Sequence, residues 1–174
     1  MNIPNAISLL RVILIPFYID LMIYDYYGPA LLVFLAACVT DALDGLIARL
    51  TRTQTELGAF LDPAADKLLI LSAFVTLVLI GKLPVWLVII VVSRDVILTL
   101  GSLMLYLMGH KLVIRPSLIG KTTTVLQFGV VSLTMVLINY GKGWGVLSIL
   151  EWTTAVVTIA SGVQYVMRGM RLAG

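Results

Sequence analysis

Charge is scarce in this chain, and so are the residues that build disulfides and zinc sites. Lys, Arg, Asp and Glu make up 12% of the 174 residues, and hydrophobic residues make up 60%. A soluble domain usually carries about 25% charge. The shortfall excludes an ordinary soluble domain and points to a polytopic membrane protein. The single cysteine, Cys38, permits no intrachain disulfide. With a single histidine beside it, no spaced Cys/His ligand set exists. Cys38 is expected to be a small buried residue. The net charge is +3 and no basic run occurs, so a nucleic-acid partner is not expected. The first apolar run has no basic segment before it and no small-x-small site after it, so it is expected to be retained.

What is present is apolar length. Runs of about 20 apolar residues are expected to span a bilayer. Six occur, at roughly 6–26, 29–50, 58–81, 83–108, 118–139 and 145–167. The breaks are short polar, Gly or Pro punctuators: Gly28-Pro29, Arg52-Thr53-Gln54, Gly81-Lys82-Leu83-Pro84, Gly109-His110-Lys111 and Gly141-Lys142-Gly143. The expected architecture is all-α: a six-transmembrane-helix bundle forming a single domain over 1–174. With the N-terminus cytoplasmic, Arg11, Arg49, Arg52, Lys111, Arg115, Lys121, Arg168 and Arg171 fall at cytoplasmic ends, and Lys82 and Lys142 at opposite ones. That bias places both termini in the cytoplasm.

Against this background stand four aspartates, Asp41, Asp44, Asp62 and Asp66, at the cytoplasmic ends of the second and third spans. Carboxylates are costly in a bilayer, so intramembrane acids point to function. Residues three or four apart share a helix face. Asp41 and Asp44 do so, as do Gly58, Asp62 and Asp66. Four converging carboxylates repel and raise one another's pKa. Divalent cations relieve that repulsion, and all-oxygen ligands favour Mg²⁺, Mn²⁺ or Ca²⁺ over zinc. A metal pair suits displacement at phosphorus. Gly45 and Ala48 leave the acidic face without bulk, and Arg49 can fork onto phosphate oxygens. Pro63 should free a backbone carbonyl and bend the third helix beside Asp62. A single such acid could be ion-pair glue, with Lys67 directly after Asp66, but the spaced set is poorly explained that way.

The pattern Asp41-x2-Asp44-Gly45-x2-Ala48-Arg49-x8-Gly58-x3-Asp62-x3-Asp66 resembles the defining motif of the CDP-alcohol phosphatidyltransferases. Length and six-helix layout fit as well, so the resemblance spans the chain. It implies attack by an alcohol on the β-phosphorus of CDP-diacylglycerol, with CMP leaving. It implies that Asp41, Asp44 and Asp62 hold a pair of divalent metals, Mg or Mn. Asp66 would contribute to that site and act as the base on the acceptor hydroxyl. Gly45, Ala48, Arg49 and Gly58 would bind the CDP moiety. Asn5-x2-Ser8-x2-Arg11 resembles the family's Asn-x2-Thr-x2-Arg element, which adds Asn5 and Ser8 to the nucleotide site. Taken alone, Asn5 is a helix N-cap and Arg11 an interfacial snorkeller. The resemblance further implies a homodimer in a lipid bilayer, in a bacterial inner membrane with the site facing the cytoplasm.

The acceptor is less tightly specified. Arg94 lies mid-span, where a cation is expensive unless it meets an anion. Its neighbour Asp95 projects about 100° away on a helix, so it is not an automatic partner, and an acceptor phosphate is a reasonable one. Arg115 and Lys121 could complete that pocket, or could be interfacial cations only. Gly120-Lys121-x2-Thr124-x2-Gln127 resembles an element of the phosphatidylglycerophosphate synthases and their cardiolipin-making relatives. A phosphorylated or phosphatidyl glycerol acceptor is therefore favoured over inositol phosphate, serine or choline, and glycerol 3-phosphate stands slightly ahead of phosphatidylglycerol because the resemblance is to the commoner bacterial member. One departure favours phosphatidylglycerol. Arg94-Asp95 stands where many phosphatidylglycerophosphate synthases carry Arg-Glu, and Ser102 stands where they carry a second Arg.

Two other classes compete. An ion-coupled transporter would place acids at several depths, whereas these lie on one side. A structural subunit would give no reason for Gly45, Ala48 and Gly58 at their spacings. His110 is expected to be a solvated loop residue, Asp25 with Tyr24, Tyr26 and Tyr27 an interfacial belt, and Glu151 has no account.

Overall fold

The computed structural model describes the backbone of residues 3–51, 56–107, 118–141 and 143–173, and side chains within them except at 3–9, 41–51, 56–64, 103, 105, 106 and 170–173. Among the described residues the secondary structure is wholly helical: α1 Ile3–Ile23, α2 Tyr27–Thr51, α3 Glu56–Leu79, α4 Val85–Leu107, α5 Leu118–Tyr140 and α6 Trp144–Ala173. Each apolar run forms one helix. The largest departure is α6, which continues to Ala173 rather than ending with the apolar run at 167. Arg and Met are good helix formers, and loss of hydropathy alone does not end a helix.

The turns follow local chemistry. After α1 the chain reverses through Asp25 at φ 63°, a conformation that aspartate tolerates better than most residues. The Tyr27 hydroxyl donates to Asp25 Oδ1, and that bond raises the Tyr27 pKa above its ordinary value. Pro29 falls in the first turn of α2, where an amide hydrogen has no intrahelical acceptor to lose. α3 closes on Gly81, at φ 71°, with Lys82 N donating to Leu77 O at 2.8 Å and Gly81 N to Val78 O at 2.9 Å. This paired closure satisfies carbonyls that would otherwise be orphaned. α5 ends on Gly141, at φ 72°, which donates to Leu137 O at 2.7 Å.

Among the described residues three helices are long and apolar enough to cross a membrane, over Val85–Ser102, Leu118–Tyr140 and Trp144–Gly169. Large apolar side chains face outward along them, including Leu100, Val125, Ile149 and Val156. Phe17 of α1, Leu32 of α2 and Leu71 of α3 are exposed too. Exposed apolar surface of this extent suits lipid rather than water. The protein is an integral membrane protein.

The chain divides into two compact units, Met1–Lys82 with Val131–Lys142, and Leu83–Val130 with Gly143–Gly174. In the first, α1 packs on α2 and α3. Its buried stripes are Tyr18 and Met22 of α1, Ala30, Phe34 and Ala37 of α2, and Ile70, Ala73, Phe74 and Leu77 of α3. In the second, α4 packs on α6. Leu87 and Val91 of α4 and Ala155 of α6 are buried there, and Trp86 stacks on Trp152 with centroids 4.8 Å apart.

Candidate functional site

The aspartates continue the sequence spacing of the first unit's buried stripes. On α2, Ala30, Phe34 and Ala37 are spaced four and three apart, and the same alternation continues through helix positions 41, 44 and 48. On α3, stepping back from Ile70 by four gives Asp66 and then position 62. By spacing, Asp41, Asp44 and Ala48 share one helix face of α2, and Asp62 and Asp66 one face of α3. At 1.5 Å per residue, Asp41 lies about 15 Å from the end of α2 and Asp66 about 15 Å from the start of α3. Asp66 is half-buried, and its Oδ1 atom is enclosed.

The side chains of Asn5, Ser8, Asp41, Asp44, Gly45, Ala48, Arg49, Gly58 and Asp62 lie outside the described residues, as do Arg52, His110, Lys111, Arg115, Pro116, Ser117 and Lys142 altogether. Their candidate roles therefore rest on sequence and helix position. The described residues contain no cluster of three or more metal-ligating side chains. What can be tested of a divalent-metal site is its donor chemistry. The candidate ligands are all carboxylates, and two pairs of them sit one helical turn apart. That set fits a hard dication.

Arg11 departs from the sequence-based expectation. It is only 1% exposed and so does not snorkel to the interface. It shares the α1 stripe with Tyr18 and Met22. The tilted Tyr18–Phe34 ring pair, 5.9 Å between centroids, sets the register of α1 against α2. Seven residues further out along each helix, Arg11 comes level with helix position 41. A buried arginine at the aspartate level was absent from the candidate site residues. Its i+7 and i+11 spacing to Tyr18 and Met22 was the available signal. Cys38 is half-buried rather than buried.

The second unit holds the described acceptor candidates. Arg94 is 6% exposed. It donates from Nη1 to Asp95 Oδ1 at 2.8 Å and from Nη2 to Ser161 Oγ at 2.9 Å. Asp95, which helical spacing alone does not make an automatic partner, is one: the long arginine side chain spans the angular gap that a helical wheel shows. Gly162 packs beside the arginine stem, and a Cβ there would sit 3.6 Å from Arg94 Cγ. Further along, Ser102 Oγ and Tyr165 Oη form a hydrogen bond of 2.6 Å. Thr123 Oγ1 donates to Ile119 O of its own helix at 2.8 Å, with Val157 O of α6 3.5 Å from the same oxygen, so α5 meets α6 here. The two helices run antiparallel, since Gly129 faces Leu150. Four residues before Thr123, Ile119 comes level with Ser161. Lys121, exposed in the first turns of α5, therefore lies within one helical turn of the Arg94 level.

Gln127, one turn beyond Thr123, is fully buried. Neither its Nε2 nor its Oε1 finds a hydrogen-bond partner among the described residues. The buried Thr154, in contrast, donates to Leu150 O of its own helix at 2.7 Å.

The model of the CDP-alcohol phosphatidyltransferase family matches residues 1–160. The chain is 33% identical to a probable phosphatidylglycerophosphate synthase of Mycobacterium tuberculosis, over 98% of this chain and 82% of that protein. It is 32% identical to the CDP-diacylglycerol–glycerol-3-phosphate 3-phosphatidyltransferase of Bacillus subtilis, over 94% of this chain and 93% of that protein. It is 34% identical to the human CMP-forming cardiolipin synthase, over 98% of this chain and 62% of that protein.

Proposed function

This chain belongs to the CDP-alcohol phosphatidyltransferase family, and from that premise we propose that it transfers the phosphatidyl group of CDP-diacylglycerol to glycerol 3-phosphate and releases CMP. The carrying observation is the eight-position aspartate motif, whose acids recur at three- and four-residue spacing along α2 and α3. The acceptor is read from relatives named for glycerol 3-phosphate that match nearly the whole chain. The enzyme is a transferase of phospholipid biosynthesis, working as one domain with six spans, both termini in the cytoplasm and the site on the cytoplasmic face of a bacterial inner membrane. It works as a homodimer.

In this reading Asp41, Asp44, Asp62 and Asp66 hold a pair of divalent cations, Mg²⁺ or Mn²⁺. Bound there, such a pair neutralises pyrophosphate charge and favours displacement at phosphorus. Gly45, Ala48 and Gly58 give the nucleotide close access to the helix backbones, with Asn5 and Ser8 beside it and Arg49 on a phosphate. Asp66 takes the proton of the acceptor hydroxyl as its oxygen attacks the β-phosphorus. The bond from that phosphorus to the CMP oxygen breaks, and CMP departs. Arg94, Arg115 and Lys121 bind the acceptor phosphate. The Asp95 and Ser161 bonds use two of the five guanidinium N–H donors of Arg94, which leaves others for an acceptor.

A second reading has phosphatidylglycerol as the acceptor and cardiolipin as the product. The Arg94-Asp95 pair and the similarity to the human cardiolipin synthase favour it. One assay separates the readings: CMP release from CDP-diacylglycerol in detergent with Mg²⁺ or Mn²⁺, with each acceptor supplied in turn. Stimulation by glycerol 3-phosphate is the expected result. Stimulation by phosphatidylglycerol alone overturns the acceptor assignment, and no release with any alcohol overturns the reaction.

A further inference from the structure

We propose that Ser161 is a positioning residue for acceptor recognition: from α6 it fixes the direction in which Arg94 of α4 presents its guanidinium. The proposal rests on the reading of Arg94 as an acceptor-phosphate ligand.

A guanidinium is planar, so two hydrogen bonds at different nitrogens fix its orientation as well as its location. Arg94 has two such bonds, to Asp95 at Nη1 and to Ser161 at Nη2. They come from different helices. Asp95 belongs to the same turn as Arg94 and would move with it. Ser161 is 67 residues away in sequence and is 3% exposed. Its hydroxyl is therefore what ties the charged head to a second helix. Gly162, beside it, leaves room for the arginine stem, with ordinary contact distance from Cγ to a built Cβ. α6 thus receives both stem and head of one arginine through two consecutive residues. The second hydrogens of Nη1 and Nη2 then point in a set direction rather than sampling the many rotamers of a free arginine, while Nε is enclosed. Lys121 shares this level of the unit, which suits an anion bound by two cations.

The test compares Ser161→Thr with Ser161→Val in the full-length enzyme. The two replacements are nearly isosteric, so their difference reports the hydroxyl rather than the added methyl group. CMP release is measured with each substrate varied in turn, and a melting curve is recorded for each variant. Arg94→Ala serves as reference. Ser161→Val is expected to raise the acceptor KM by about tenfold over Ser161→Thr, since small misplacements of a binding group are costly. The KM for CDP-diacylglycerol should be the same in both. If Arg94→Ala raises the acceptor KM but Thr and Val at 161 behave alike, the positioning role is overturned and the Arg94 assignment stands. If Arg94→Ala leaves the acceptor KM unchanged, the Arg94 assignment fails and the positioning role with it. If Val lowers both substrates' kcat/KM and the melting temperature together, Ser161 only holds the fold.

Discussion

Gln127→Met should make this protein more stable. The Gln127 side chain is fully buried, and both polar atoms of its amide are enclosed without a hydrogen-bond partner among the described residues. Burying an unpartnered amide costs about 1–3 kcal/mol on the scale of protein mutational data. Methionine is also unbranched and of similar length, forms helices well and adapts to irregular space. It should fill the same volume without that penalty. For a chain of this size each kcal/mol moves the melting temperature by roughly 2–4 °C. The expected rise is therefore about 2–12 °C. Gln127→Glu, which puts a carboxylate in the same enclosed place, should lower the melting temperature. The assay is thermal unfolding of detergent-purified protein, followed by intrinsic fluorescence or by loss of the monodisperse peak on size exclusion. A lower melting temperature for the Met variant than for wild type would refute the reasoning, because it would show that the amide makes bonds worth more than its desolvation.

Three further outcomes are expected. Asp41→Asn, Asp44→Asn and Asp62→Asn should each abolish CMP release while eluting as folded protein; near-normal turnover in any of them at saturating Mg²⁺ or Mn²⁺ would overturn the shared metal site. Asp66→Asn should still bind CDP-diacylglycerol, measured by calorimetry, yet lose transfer; lost affinity with transfer spared would make Asp66 a ligand rather than the base. Tyr165→Phe deletes the hydroxyl bonded to Ser102 at 2.6 Å and should lower the melting temperature by roughly 1–6 °C, from about 0.5–1.5 kcal/mol per hydrogen bond; an unchanged melting curve would show that this bond carries no net stability.

α3 and α5 were legible because their apolar runs end at residues that stop a helix for a local reason. Gly81 and Gly141 take a left-handed backbone that supplies the closing hydrogen bonds, and both were marked as breaks. The stripe logic was legible too, since three- and four-residue spacing is a property of any α-helix. What was not legible lay between helices. Ser161 has no sequence signal that ties it to Arg94, because the two are joined only by the packing of α4 on α6. The Arg94–Asp95 bond does not follow from a helical wheel, which shows Cβ directions and takes no account of an arginine's reach. Arg11 was assigned to the interface because hydropathy sees a cation near a helix end and cannot see the stripe it shares with Tyr18 and Met22. The continuation of α6 to Ala173 was missed for the converse reason: the end of an apolar run marks a change of solvent, not the end of a helix.

Arg94 and the aspartates teach different things about charge in a membrane protein. A costly intramembrane ion implies a partner but does not say that the partner is a ligand. For Arg94 the protein provides one itself, a carboxylate at 2.8 Å with a serine hydroxyl beside it. Its expense is thereby met, and the case for an acceptor phosphate must rest on the donors left over. The aspartate motif does not close in the same way. Four carboxylates recur along α2 and α3, whereas the Lys and Arg residues of α1 to α3 are three, Arg11, Arg49 and Lys67. Three single charges do not neutralise four, and like charges one turn apart on the same helix still repel. Dications balance the site with few ions and bind best to hard oxygen ligands. The surplus of fixed negative charge, rather than the presence of acids as such, is the physical reason to expect metals in the first unit and none beside Arg94.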